Sequence, residues 1–124
     1  MAITDLIAIP NGINPGVNAA KQMTMLTLLG NPRGSYDQTC RPVQNPALLP
    51  LIVTETTGPL RVTGLRPAIE SLRKVLADIQ REAPEVHAAL GTAGMHCARF
   101  VRNSTTTISN HSWGTAIDLT YRAN

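Results

Sequence analysis

The sequence predicts an α+β domain in which a small, mainly antiparallel sheet packs against helices, and three observations carry that prediction. Ile69, Leu72, Leu76 and Ile79 recur at helical spacing behind Pro67, and proline is favoured in a first helical turn. Two β-rich runs, Leu51 to Glu55 and Leu60 to Thr63, flank a Thr-Thr-Gly-Pro turn. Nearer the C-terminal end, alternation of side chains over Met95 to Val101 and over Thr115 to Tyr121 reads as two further strands.

Taken in order, residues 1–17 carry Pro10, Gly12, Pro15 and Gly16 and read as irregular. Asn18 is placed to cap a helix running to Leu29, with Gly30 as its stop and Ala19, Met23, Leu26 and Leu29 as its apolar stripe. Residues 30–50, punctuated by Pro32, Gly34, Pro42, Pro46 and Pro50, read as loop. The hairpin and the long helix follow, then a short helix from Pro84 that Gly91 ends. In the next strand Met95, Cys97, Arg99 and Val101 share one face, and His96, Ala98 and Phe100 the other. Residues 1–50 thus form an irregular and helical N-terminal extension, and residues 51–124 the domain that carries the sheet.

Composition narrows the function classes. At 124 residues with 43% hydrophobic and 15% charged side chains, the chain has the make-up of one globular domain rather than a disordered segment. Its formal charge of +3 comes from scattered lysines and arginines without interleaved aromatics, so no nucleic-acid footprint is present. No apolar stretch is long enough to span a membrane. Met1-Ala2-Ile3-Thr4-Asp5 lacks the basic start and apolar run of a secretory leader. Localisation therefore stays unassigned, and export would need another route. Cys40 and Cys97 are expected to be buried thiols, with a single disulfide as the alternative.

Chemistry concentrates in Ser109-Asn110-His111-Ser112-Trp113-Gly114-Thr115-Ala116-Ile117-Asp118. A His nitrogen and an Asp oxygen flank a glycine that permits a tight bend, so both side chains can turn onto one metal ion. Zinc takes both donor types, and a catalytic zinc needs three protein ligands and an open position. His111 and Asp118 are the candidate metal ligands, and Ser109 the candidate hydrogen-bond support behind them. Trp113 is expected to wall the site.

The decapeptide resembles the S-x-H-x-x-G-x-A-x-D motif of the zinc D-alanyl-D-alanine carboxypeptidases and related peptidoglycan endopeptidases, a family that includes vancomycin-resistance dipeptidases and several phage endolysins. All five fixed positions match: Ser109, His111, Gly114, Ala116 and Asp118. Gly94-Met95-His96-Cys97-Ala98-Arg99 extends the likeness upstream, so that it covers about residues 60–120. The resemblance implies a fold core similar to the hedgehog signalling domain, a Zn²⁺ cofactor held by His111 and Asp118, and peptidoglycan peptide as substrate. It further implies Arg99 as the cation that binds substrate or steadies the oxyanion, with Ser109 and Trp113 beside it.

The family's third ligand, a His, and its general base, a Glu, lie on a later segment. After Asp118 the sequence offers Leu119, Thr120, Tyr121, Arg122, Ala123 and Asn124, so the expected core is C-terminally incomplete. Glu85-Val86-His87 places its side chains on different helix faces. Strand parity sends His96 away from Arg99. Cys97 shares Arg99's face and could bind zinc as a thiolate. The expectation is a zinc peptidase whose site is completed by a partner segment or chain, and whose activity in this form is impaired. Two other readings remain open: a non-catalytic cell-wall or peptide-binding module, and a phage or secretion structural component that has kept the fold.

Overall fold

The computed structural model describes residues 5–121. Three helices and two small antiparallel sheets make an α+β architecture: α1 (Gln22–Leu29), β1 (Ile52–Thr57), β2 (Leu60–Leu65), α2 (Arg66–Glu82), α3 (Pro84–Ala89), β3 (Leu90–Gly94) and β4 (Asp118–Tyr121). Residues 5–21 are exposed throughout.

The hairpin β1–β2 forms where the β-branched residues predict it, in register from Ile52↔Leu65 to Thr57↔Leu60. Its turn is Gly58-Pro59, with Gly58 at φ +55°. Leu60, Val62 and Gly64 alternate inward along β2. There Leu60 and Val62 join Ile69 and Leu76 of α2, Leu90 of β3, and Met95 in one hydrophobic cluster. Leu72 and Ile79 pack against it half-buried, so the predicted helical stripe is the stripe that faces the core. An ion pair between Arg73 and Glu55 (2.6 Å) clips α2 to β1 at the surface.

Elsewhere the expected elements shift. Helix α1 starts at Gln22 rather than after Asn18, and Met25 is its buried residue while Met23 is exposed. Gly30 does end it, at φ +80°. Gly91 lies inside β3 instead of stopping α3, because Leu90 already turns into extended backbone and pairs with Tyr121. Residues 95–101 form no strand. Ala98 and Phe100 make only isolated antiparallel bridges, to Arg41 and to Ile108. The last strand starts at Asp118 rather than Thr115.

A second cluster joins Met25, Val43, Leu48, Leu65, Ala98, Ile108 and Trp113. Met25, Val43 and Leu48, from the stretch before residue 50, therefore pack in one cluster with Trp113 of the motif. The expectation of two free thiols is also corrected: Cys40 and Cys97 form a disulfide, with Cα atoms 5.1 Å apart, a spacing within the range that such a bond spans. No described helix is long and apolar enough to cross a membrane.

Candidate metal centre

The motif folds as a short 3-10 helix, Asn110–Trp113, bounded by two features of its sequence. Ser109 caps it, its Oγ accepting the His111 N–H at 3.3 Å. Gly114 ends it in the left-handed region at φ +70°, and its amide donates to the His111 carbonyl at 3.0 Å. A Cβ at Gly114 would stand 2.6 Å from the Leu65 nitrogen and 2.9 Å from the Gly64 Cα. Only glycine lets this turn press against β2, where the Leu65 N–H donates to the Gly114 carbonyl at 3.0 Å.

Behind the turn, Trp113 is fully buried and its Nε1–H donates to the Gly30 carbonyl at 2.8 Å. The indole anchors the site segment to the end of α1. With no exposed surface it does not wall the cavity, and it has no face to offer a substrate. Ser109, buried at 5% exposure, supports the His111 backbone rather than its ring.

His111 Nδ1 lies 3.1 Å from the Met95 carbonyl. A carbonyl can only accept, so Nδ1 is the donor in this contact and Nε2 is the ring nitrogen turned towards the cavity. Nε2 faces Asp118 Oδ2 at 3.5 Å. Two acceptors opposed at that distance call for a proton or a cation between them. Two donors each about 2.0–2.1 Å from a zinc ion, at a tetrahedral angle, stand about 3.4 Å apart. A metal-ligating imidazole commonly donates its other ring N–H to a backbone carbonyl, which fixes the ring's orientation. The donor set therefore fits two corners of a zinc site.

Asp118 is aimed by an irregularity in the second sheet, where the register slips between Thr92 and Gly94 and Gly94 comes opposite Asp118. Thr92 Oγ1 donates to the Asp118 carbonyl at 2.7 Å and accepts the Gly94 N–H at 3.0 Å. The carboxylate is 62% exposed and the imidazole 13%, so the pair sits at the mouth of a cavity of about 280 Å³.

Arg99 lines that cavity with His111 and Asp118, so the candidate ligands and the candidate substrate cation do converge. Its guanidinium touches the Phe100 carbonyl at 2.9 Å and has no carboxylate partner among the described residues. Ser112, a residue the motif leaves unspecified, fixes this segment: its Oγ accepts the Arg99 N–H at 3.1 Å and donates to the Arg99 carbonyl at 3.1 Å.

Three lining residues escaped sequence reasoning. His96 faces the same cavity as Arg99, because residues 95–101 are irregular and strand parity does not apply. Its Nε2 is buried without a partner, and burial pushes its pKa below the ordinary 6.5 against the opposing effect of a hydrogen bond to the Ser112 backbone. Arg102 reaches the cavity while donating to the Gln38 carbonyl at 2.6 Å. Cys40 arrives through the disulfide. No periodicity or spacing signals either of these last two. Among the described residues no group of three or more His, Cys, Asp or Glu is arranged to hold a metal ion.

Among known proteins, no family model, no curated protein and no solved structure matches this chain.

Proposed function

We propose that this chain supplies the first two zinc ligands and the substrate cation of a peptidase that hydrolyses D-amino-acid-containing peptide bonds of peptidoglycan stem peptides. The observation that carries the reading is the His111–Asp118 pair, with Nε2 3.5 Å from the carboxylate and Nδ1 held at the Met95 carbonyl, in one cavity with Arg99. The motif's likeness to the zinc carboxypeptidases and the donor chemistry support the same assignment. So does the glycine whose Cβ the fold could not accommodate.

Zinc bound there supplies a Lewis acid for the scissile carbonyl and lowers the pKa of a bound water towards ~7. The chain's own residues do the rest of what falls to them. The Met95 carbonyl holds the imidazole in the tautomer that presents Nε2. Asp118 contributes the anionic donor at the cavity mouth. The Arg99 guanidinium, free of any carboxylate among the described residues, binds the substrate carboxylate or the oxygen on which charge develops. Among the described residues no Glu lines the cavity. The proton-accepting carboxylate and the third ligand are accordingly assigned to a partner segment or chain, and the chain alone is expected to turn over slowly or not at all.

The second reading, a wall-binding module without catalysis, is favoured by the same lack of a lining Glu. Titrating an N-acylated D-alanyl-D-alanine peptide into the protein, followed by NMR, separates the two. The peptidase reading predicts that zinc tightens peptide binding and that Arg99→Gln abolishes it. Binding that is indifferent to zinc and to His111→Ala would leave the binding module.

A further inference from the structure

We propose that Cys40 and Cys97 are a redox gate on the His111–Asp118 pair: their disulfide withholds two sulfur donors from the cavity, and reduction closes a four-donor zinc site made from this chain's own residues. The inference rests on the reading of His111 and Asp118 as metal donors.

Both cysteines line the cavity that holds that pair. The Cys97 N–H donates to the His111 carbonyl at 3.0 Å, which ties the two backbones directly. While the sulfurs are bonded to each other neither is a thiolate, and His111 and Asp118 give two donors where a catalytic zinc needs three. His96 lines the same cavity, yet among the described residues no three such groups are arranged to hold an ion. Freed, they add the donor type zinc favours most in closed sites. Two thiolates on one tetrahedral zinc stand about 3.8 Å apart. Side-chain rotation alone reaches that separation from Cα atoms 5.1 Å apart.

Reduction does not release the segment that carries Cys40, because hydrogen bonds strap it down independently. Arg41 and Ala98 exchange backbone bonds at 3.0 and 3.1 Å, and the Phe100 N–H donates to the Asp37 carbonyl at 3.0 Å. Gln38 Nε2 donates to the carbonyls of Val101 (3.1 Å) and Ser104 (3.0 Å), and Arg102 returns a bond to the Gln38 carbonyl. Both thiols therefore stay at the cavity wall.

The redox step balances with a cellular dithiol: it gives two electrons and two protons to the Cys40–Cys97 bond and closes its own disulfide, and the two new thiols lose their protons as zinc binds. Four protein donors leave no open position for water, which is the arrangement of a structural site. The reduced form is then zinc-loaded and closed. The oxidised form keeps two donors and room for a ligand from a partner, a water and a substrate.

The test is a cobalt(II) titration of the whole chain, oxidised or reduced with a water-soluble phosphine, which takes oxygen from water and leaves two thiols. Reduced protein is expected to bind one cobalt with a thiolate-to-cobalt charge-transfer band, at a Kd more than about tenfold below that of the oxidised form. His111→Ala and Asp118→Asn should each weaken that binding. The proposal is overturned if the reduced protein shows no such band, if the band persists at full affinity in both variants, or if reduction abolishes the near-ultraviolet circular dichroism of the buried Trp113. Cys40→Ser/Cys97→Ser separates the two readings. Cobalt binding that needs His111 in this variant and in oxidised protein, with no band on reduction, removes the gate and keeps the metal pair. Absence of binding in every form removes both.

Discussion

Residues 52–82 and residues 95–118 are of similar length but are held in place by different physics. The first region is repetitive: a six-pair hairpin register and a helix whose apolar stripe returns every turn to one cluster. The second has almost no repeating backbone bonds. Ser112 Oγ holds the Arg99 backbone, Trp113 Nε1 holds Gly30, Met95 holds the His111 ring, and a glycine fits where a Cβ would collide. Repetition spreads stability over many equivalent contacts, whereas the site depends on single contacts that each have no substitute. A scaffold tolerant of change thus carries a site that is not.

Of the single contacts that hold the site, the one made by Trp113 is expected to be the most costly to lose. Trp113→Ala is expected to cost about 3–5 kcal/mol in chemical denaturation, through the cavity left and the Gly30 carbonyl orphaned. Leu76→Ala in the repetitive region should cost about 2–4 kcal/mol. Its test is metal binding in the folded fraction, which Leu76→Ala should leave intact and Trp113→Ala should not.

Reducing the Cys40–Cys97 bond, whose cysteines lie 57 residues apart, should lower unfolding free energy by about 2–4 kcal/mol while the protein stays folded at room temperature. Comparing urea midpoints with and without reductant reads this directly. Gly114→Ala forces a left-handed residue to carry a Cβ against Leu65, at a cost of at least about 2 kcal/mol. Zinc-induced shifts at His111 should disappear with it. Ser112→Ala should cost about 1–2 kcal/mol, and should weaken peptide binding through Arg99 more than it weakens zinc binding.

The smallest effect is a pH dependence. Burial holds the folded-state pKa of His96 below its ordinary value of 6.5, so the unfolded chain takes up this proton first as pH falls. The stability tied to neutral His96 is complete above about pH 6.5 and declines as pH drops from there towards the folded-state value. His96→Asn should flatten that part of the stability–pH curve, and an unchanged slope would assign it to other groups.

What could be read from the amino acids follows the same division. The stripe Ile69, Leu72, Leu76, Ile79 and the Gly-Pro turn are periodic or local signals, and they located α2 and the hairpin. The resemblance singled out His111, Asp118 and Arg99, which line one cavity, and the motif's spacing singled out Gly114 as the residue that permits the bend. Alternation failed at 95–101, because Met95 and Ala98 are buried by long-range contacts rather than by pleating, and the parity argument against His96 failed with it. Trp113 looks like a site residue by proximity in sequence, yet its ring is spent on Gly30, far away along the chain. Cys40 reaches the cavity through its disulfide and Arg102 while bonded to Gln38, long-range contacts that leave no trace in spacing. The core shared by Met25, Val43 and Leu48 with the motif was hidden by a proline-rich stretch that reads as loop.

Whether His111 and Asp118 hold one metal ion together is read at the nitrogen itself, by imidazole ¹⁵N NMR of the oxidised chain during zinc titration. Zinc is expected to shift the His111 Nε2 resonance and to saturate at one ion per chain with weak affinity, and the response should be lost in Asp118→Asn. A His111 Nε2 signal unmoved by zinc, or a shift that survives Asp118→Asn unchanged, would contradict it.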